Sequence, residues 1–168
     1  MGRTFRLAYL LLGVFLLCTL AQALGCSAKD IRYPEDHTRY ANIDRAVEEL
    51  RKAYAARDLS AVQSLIVPVE ALERMTSDVQ QDFNNFQDIT LEWTIDRIVI
   101  DGNIIEAVVN WAGQWRRTPA DTGIRERGQG VLRWTGEKSV LLTGAEGDLP
   151  FGMASRRAAS EKPSSGRR

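Results

Sequence analysis

From Asn42 the apolar residues Ile43, Ala46, Val47, Leu50 and Tyr54 recur at three- and four-residue spacing, which lays one apolar stripe along a helix. Arg45 with Glu49, and Glu48 with Arg51 and Lys52, fall on its solvated side. Asp58 breaks the pattern and is placed to cap a second short helix that turns Val62, Leu65 and Ile66 inward, with Pro68 close behind it. A third helical piece is expected from about Ser77 to Phe86, because Ser77-x-x-Gln80 has capping-box form and Val79, Phe83 and Phe86 share a face.

At Ile89 the period changes to two. Ile89, Leu91, Trp93 and Ile95 alternate with polar residues, and then Ile98 and Ile100 continue on the opposite parity. A phase shift near Asp96 and Arg97 is the mark of a β-bulge, which bends a sheet. Asp101-Gly102-Asn103 makes a tight hairpin turn into a strand with Ile105, Ala107, Val109 and Trp111 on one face. A loop containing Pro119 and Gly123 leads to a third strand, roughly Ile124 to Trp134. Thr135-Gly136-Glu137 then turns into a fourth, Ser139 to Thr143. Gly128-Gln129-Gly130 reads as a strand irregularity. Strands joined by short turns form an antiparallel meander, and helices on the concave face of one curved sheet bury both apolar sets. The expected fold is therefore α+β and cone-shaped.

The N-terminus follows different rules. Arg3 and Arg6 precede an uncharged apolar run, Leu7 to Leu20, that ends in small residues, the order of an export signal over residues 1–25. Ala21-Gln22-Ala23 offers an ordinary signal peptidase site, which would leave a soluble periplasmic chain. Ala23-Leu24-Gly25-Cys26 resembles the bacterial lipobox, in which the cysteine becomes the acylated first residue. Cys18 lies inside the apolar run, so the mature chain would keep one cysteine and no internal disulfide. An unpaired thiol in an oxidising compartment calls for a covalent use, and a lipid on Cys26, anchored in a bilayer, supplies one. Ser27 in place of Asp favours, by the same resemblance, the outer membrane facing the periplasm. Residues 26–41 then read as a polar tether, 42–152 as the domain, and 153–168 as a disordered basic tail.

Charge separates domain from tail. The whole chain balances 22 basic against 22 acidic residues, but residues 26–152 hold 15 basic and 21 acidic. A domain near minus six repels a phosphate backbone, so no nucleic-acid partner is expected.

The stretch AYAARDLSAVQSLI and the closing GVLRWTGEKSVLLTGAEGDLPFG, with its Gly147-Asp148 and Phe151-Gly152 pairs, resemble the nuclear transport factor two-like superfamily. This family is also known as the SnoaL-like or cystatin-like cone. The resemblance covers about Asn42 to Gly152. It implies a pocket between the first helices and the concave sheet face, and it spans isomerases, dehydratases and non-enzymatic members, so it fixes no reaction. It also implies that two copies can pair sheet to sheet.

In ketosteroid-isomerase-like members a tyrosine two turns before the Asp-Leu pair donates to the oxyanion, and a carboxylate after the second helix is the base. Here Leu50 holds the first position, and Glu70 and Glu73 follow the second helix at helical spacing, as solvated residues would. His37 is the sole histidine and lies in the tether, so histidine chemistry has no material. No catalytic set, metal site or cofactor motif is expected.

The four tryptophans fall in strands and pack the helices on the plainest reading. The sharper one is a pocket for a small apolar ligand, lined by Tyr54, Trp93, Trp111 and Trp115. Arg116, Arg117, Arg125 and Arg127 bracket the third loop as a positive rim for a partner. The expected function is a non-catalytic module, tethered to the envelope, that binds a small apolar ligand or another envelope protein. An isomerase or dehydratase and a dimerisation scaffold remain as alternatives.

Overall fold

The computed structural model describes residues 34–136 and 138–161. The export signal, Cys26, the first part of the expected tether and residues 162–168 lie outside the described residues. The chain order is α1 (Pro34–Ala55), α2 (Leu59–Ser64), α3 (Glu70–Asn85), β1 (Asp88–Asp101), β2 (Ile104–Arg116), β3 (Ile124–Thr135), β4 (Leu141–Gly147) and α4 (Met153–Glu161).

The stripe of α1 is buried as the periodicity requires, with Ile43, Leu50 and Tyr54 fully enclosed. The helix starts eight residues before Asn42, which corrects the reading of 34–41 as tether. Pro34 reads as a breaker, yet at the first helical position its missing N–H costs nothing.

The turn into α2 is tight. Asp58 N donates to Ala53 O and Arg57 N to Tyr54 O, with Arg57 in the left-handed region at φ 59°. Arg57 offsets that strain by donating to the Phe83 and Gln87 carbonyls at the end of α3, at 2.8 and 3.1 Å. Asp58 caps α2 as its position predicts, accepting from Ala61 N at 2.9 Å.

Helix α3 runs from Glu70, seven residues before the expected start. Its true N-cap, Val69, makes no side-chain cap bond, while the capping-box pattern at Ser77 sits inside the helix. The expected face of Val79, Phe83 and Phe86 is buried, and Leu72 and Met75 in the added first turns extend it.

The sheet is the expected antiparallel meander in the order β1-β2-β3-β4. Its register shifts between Ile95 and Arg97, where the change of parity puts the bulge. Strand β4 begins two residues later than expected and runs four further, to Gly147. Beside it the α2–α3 connection adds a parallel bridge, Val67 N donating to Leu142 O and Leu142 N to Leu65 O.

Two further expectations are corrected. Pairing of β2 with β3 runs unbroken through Gly128-Gln129-Gly130, so this is no irregularity. A Cβ on Gly128 would stand 2.5 Å from Asp148 Oδ2 and 2.8 Å from Trp111 Cζ2, so the glycine makes room for the returning chain. The tail expected to be disordered from residue 153 instead begins as α4. Met153 is buried, Ser155 Oγ meets Gln81 Oε1 at 2.9 Å, and Arg156 binds Asp148 Oδ1 at 3.0 Å and Phe151 O at 2.9 Å. Its Ser, Arg and Ala content suggests disorder only while these tertiary contacts are unknown.

Candidate functional site

The interior of the cone is where α1, α3 and the inner face of β2 converge. From α1, Tyr54 arrives with no exposed surface, and its hydroxyl accepts from Trp115 Nε1 on β2 at 2.9 Å. The same hydroxyl donates to Asp82 Oδ2 on α3 at 2.7 Å, with the Pro150 carbonyl a second acceptor 3.0 Å away. Asp82 is the one fully enclosed charged side chain among the described residues.

The segment linking β4 to α4 closes this network. Gly152 N donates to Asp82 Oδ2 and Ala154 N to Asp82 Oδ1, both at 2.7 Å, and the Met153 amide contributes as well. The segment can pass this closely because Gly152 takes φ 80°, a region that disfavours a side chain. Trp111 Nε1 holds the start of the segment, donating to Asp148 O at 2.7 Å.

Aromatic rings fill the remaining space. Phe151 stands edge-on to Tyr54 with centroids 5.0 Å apart and contacts Trp93 at 6.2 Å, Phe83 lies 5.5 Å from Tyr54, and Trp111 meets Trp115 at a right angle.

Burial pushes the Asp82 carboxyl up, and the bonds from Ala154, Tyr54 and Gly152 only partly oppose it. Burial first, then the Asp82 charge and its hydrogen bond, push the Tyr54 hydroxyl well above its ordinary value. The surface behaves oppositely: Arg51, 2.7 Å from Glu48, holds that carboxyl down at about 2.

These directions give opposite pH dependences. The Glu48 contribution is present above the ordinary glutamate value and is lost as pH falls towards about 2. Because Asp82 is raised, the folded state holds its proton more tightly than the unfolded chain does. That contribution is complete below the ordinary aspartate value and is lost as pH rises through the folded-state value. The stability difference between the native chain and Asp82→Asn, read by urea denaturation at pH 3.5 and pH 7 (~values chosen to bracket the usual carboxylate range), is expected to favour the native chain more at the lower pH. A difference that grows with pH would mean the hydrogen bonds outweigh burial.

The sequence-derived residues divide into two groups. Tyr54, Trp111 and Trp115 are brought together as buried core, Trp115 bonded to the Tyr54 hydroxyl and Trp111 edge-on to Trp115; Trp93 is half-buried beside Phe151, its Nε1 without a partner. Surface concavities among the described residues are lined by other residues than these four. Of the expected lining, Tyr54 and Trp93 pack against the chain's own Phe151. Glu70 and Glu73 are exposed, as expected.

Asp82 is the residue that sequence reasoning missed. It lies three residues after Val79 and one before Phe83, on the buried face, so the signal was an acid on an apolar stripe.

The arginine rim also separates. Arg116 is committed to Asp88 by a 2.7 Å bond, and the Arg117 backbone N–H donates to Asp121. Arg125 and Arg127 are exposed, and no ion pair or hydrogen bond engages either among the described residues. Both line a shallow groove of about 460 Å³ on the outer sheet face, floored by Ala112 and Gly113.

No family model and no curated protein matches this sequence. Solved structures do match. A nuclear transport factor 2-like superfamily protein from Salmonella enterica serovar Typhimurium superposes with a TM-score of 0.55 at 12% identity, covering 70% of this chain and 96% of that one. A proposed dehydratase of the same family from Streptomyces avermitilis gives 0.53 at 14% identity, over 67% of this chain and 99% of that one. The Bd1075 protein of Bdellovibrio bacteriovorus gives 0.56 at 13% identity, over 69% of this chain and 43% of that one. The chain has the nuclear transport factor 2-like cone fold. At these identities the likeness extends to fold alone.

Proposed function

We propose that this chain is a non-catalytic binding module, held on the periplasmic side of a bacterial outer membrane by an acylated Cys26, and that it engages another envelope protein through its outer surface. One observation carries the reading: Asp82, the carboxylate at the heart of the cone, is occupied by Tyr54 and by the amides of residues 152–154. A general base needs a free lone pair within reach of a substrate proton. Asp82 has neither access nor spare acceptor capacity, and Phe151 holds the place a small apolar ligand would take.

Intact-mass and native mass spectrometry of protein from a bacterial membrane fraction test both halves. The expected masses are those of a chain starting at diacylated or triacylated Cys26, with no small molecule retained. A mature chain starting at Leu24 would overturn the tether, and a copurified ligand displaced by Phe151→Trp would overturn the closed interior.

A second reading, an isomerase or dehydratase, is favoured by the close pairing of Tyr54 with a buried carboxyl held towards its protonated form. It requires residues 150–153 to leave the interior. Hydrogen exchange at the Gly152 and Ala154 amides by a local opening far more frequent than global unfolding would support it. Exchange at the rate of the β2 amides would remove it.

A further inference from the structure

The outer sheet face carries its side chains in rows set by strand pairing. One row is Thr90, Gln114 and Arg125; the next is Glu92, Ala112 and Arg127. Most polar groups around these rows are already engaged. Arg116 pairs with Asp88, Gln114 donates to Thr122 O, Gln129 donates to Asn110, and Arg133 is shared between Glu106 and Glu146.

Among the described residues, no side-chain hydrogen bond or ion pair engages the guanidinium of Arg125 or Arg127. They sit two residues apart on one strand, so they project from the same face with Cα atoms about 7 Å apart. That spacing is also the repeat of alternate side chains in any extended chain. Ala112, between Glu92 and Arg127 in its row, presents only a methyl group on this face, so the floor beside the arginines is low. Glu92 bounds the far side of the groove and repels a second acid placed there.

Building on the reading of the chain as a protein-binding module, we infer that this groove docks an extended acidic segment of a partner protein, with carboxylates at alternate positions on Arg125 and Arg127. Charge complementarity supports this choice, since two unengaged guanidiniums project side by side from one face of a domain with an acidic excess. The geometry selects an extended peptide over a lipid surface. Laterally mobile headgroups impose no two-residue repeat, whereas a strand does.

The experiment compares two peptides of one composition, acetyl-Thr-Glu-Thr-Glu-Thr-amide and acetyl-Thr-Glu-Glu-Thr-Thr-amide, followed by amide shifts of the labelled domain at low ionic strength. The alternating peptide is expected to bind about fivefold to tenfold more tightly, with shifts centred on residues 112–114 and 125–127. Arg125→Glu with Arg127→Glu is expected to abolish the preference, and Glu92→Gln to tighten binding about twofold to threefold. The last is a gain that a misfolded variant cannot give.

Equal affinity for both peptides, or a preference indifferent to the arginine changes, would overturn the inference. So would arginine-dependent binding to phosphatidylglycerol vesicles without binding to either peptide. None of these results bears on whether the interior is closed, so the binding-module reading survives or fails separately.

Discussion

Asp82→Ala is expected to destabilise the domain by about 3–5 kcal/mol, the largest loss from any single polar substitution in this chain. The variant would strand the buried amide of Gly152 and the part-buried amide of Ala154 without their acceptor. Each buried donor left without an acceptor costs roughly 1–3 kcal/mol. Tyr54 escapes part of this penalty, because its hydroxyl can turn to the Pro150 carbonyl 3.0 Å away. Against a total stability of about 5–15 kcal/mol, the loss lowers Tm by roughly 15–30 °C, and thermal unfolding followed by circular dichroism measures it directly. Asp82→Asn keeps one acceptor oxygen and should fall between the two. A melting temperature for Asp82→Ala within about 3 °C of the native chain would mean that residues 150–154 do not depend on this carboxylate, and the argument for a structural Asp82 would fail.

The cost of Asp82 also explains which features could be read from sequence and which could not. Local periodicity is a property of neighbouring residues, so the α1 stripe, the Asp58 cap and the bulge at residues 95–97 were legible one segment at a time. The helix starts at Pro34 and Glu70 were not, because neither is marked by the polar cap that usually announces one.

The interior network lies beyond such rules, since it joins residues 28, 61 and 96 positions apart through Tyr54 alone. An aspartate on an apolar helix face is a local oddity. Its partners are main-chain amides far along the chain, which carry no sequence signature at all. Strand parity places Trp93 and Trp111 on one interior face, where the plainest reading packs them, but parity does not show what else fills that interior. Phe151, from a stretch read only as the closing hairpin, fills it.

Phe151→Ala therefore tests the function most directly. Removing a buried phenyl ring costs about 3–5 kcal/mol, from lost transfer energy and from the void left where the surroundings cannot collapse. Collapse should be limited here, because the neighbouring rings are fixed by hydrogen bonds: Tyr54 to Trp115 and Asp82, and Trp111 to Asp148 O. The resulting space, walled by the rings of Tyr54 and Trp93, is about the size of the ring removed. Dry cavities of this kind take up small aromatics. Benzene or indole should bind the variant saturably and raise its Tm, returning about 2.7 kcal/mol at a hundredfold excess over Kd. The native chain should show no such effect, because its own side chain already occupies the position. Were the native chain to bind these probes as well as the variant does, Phe151 would not be what closes the cone. The interior would then be a ligand site, and a surface-acting module would no longer be the better account.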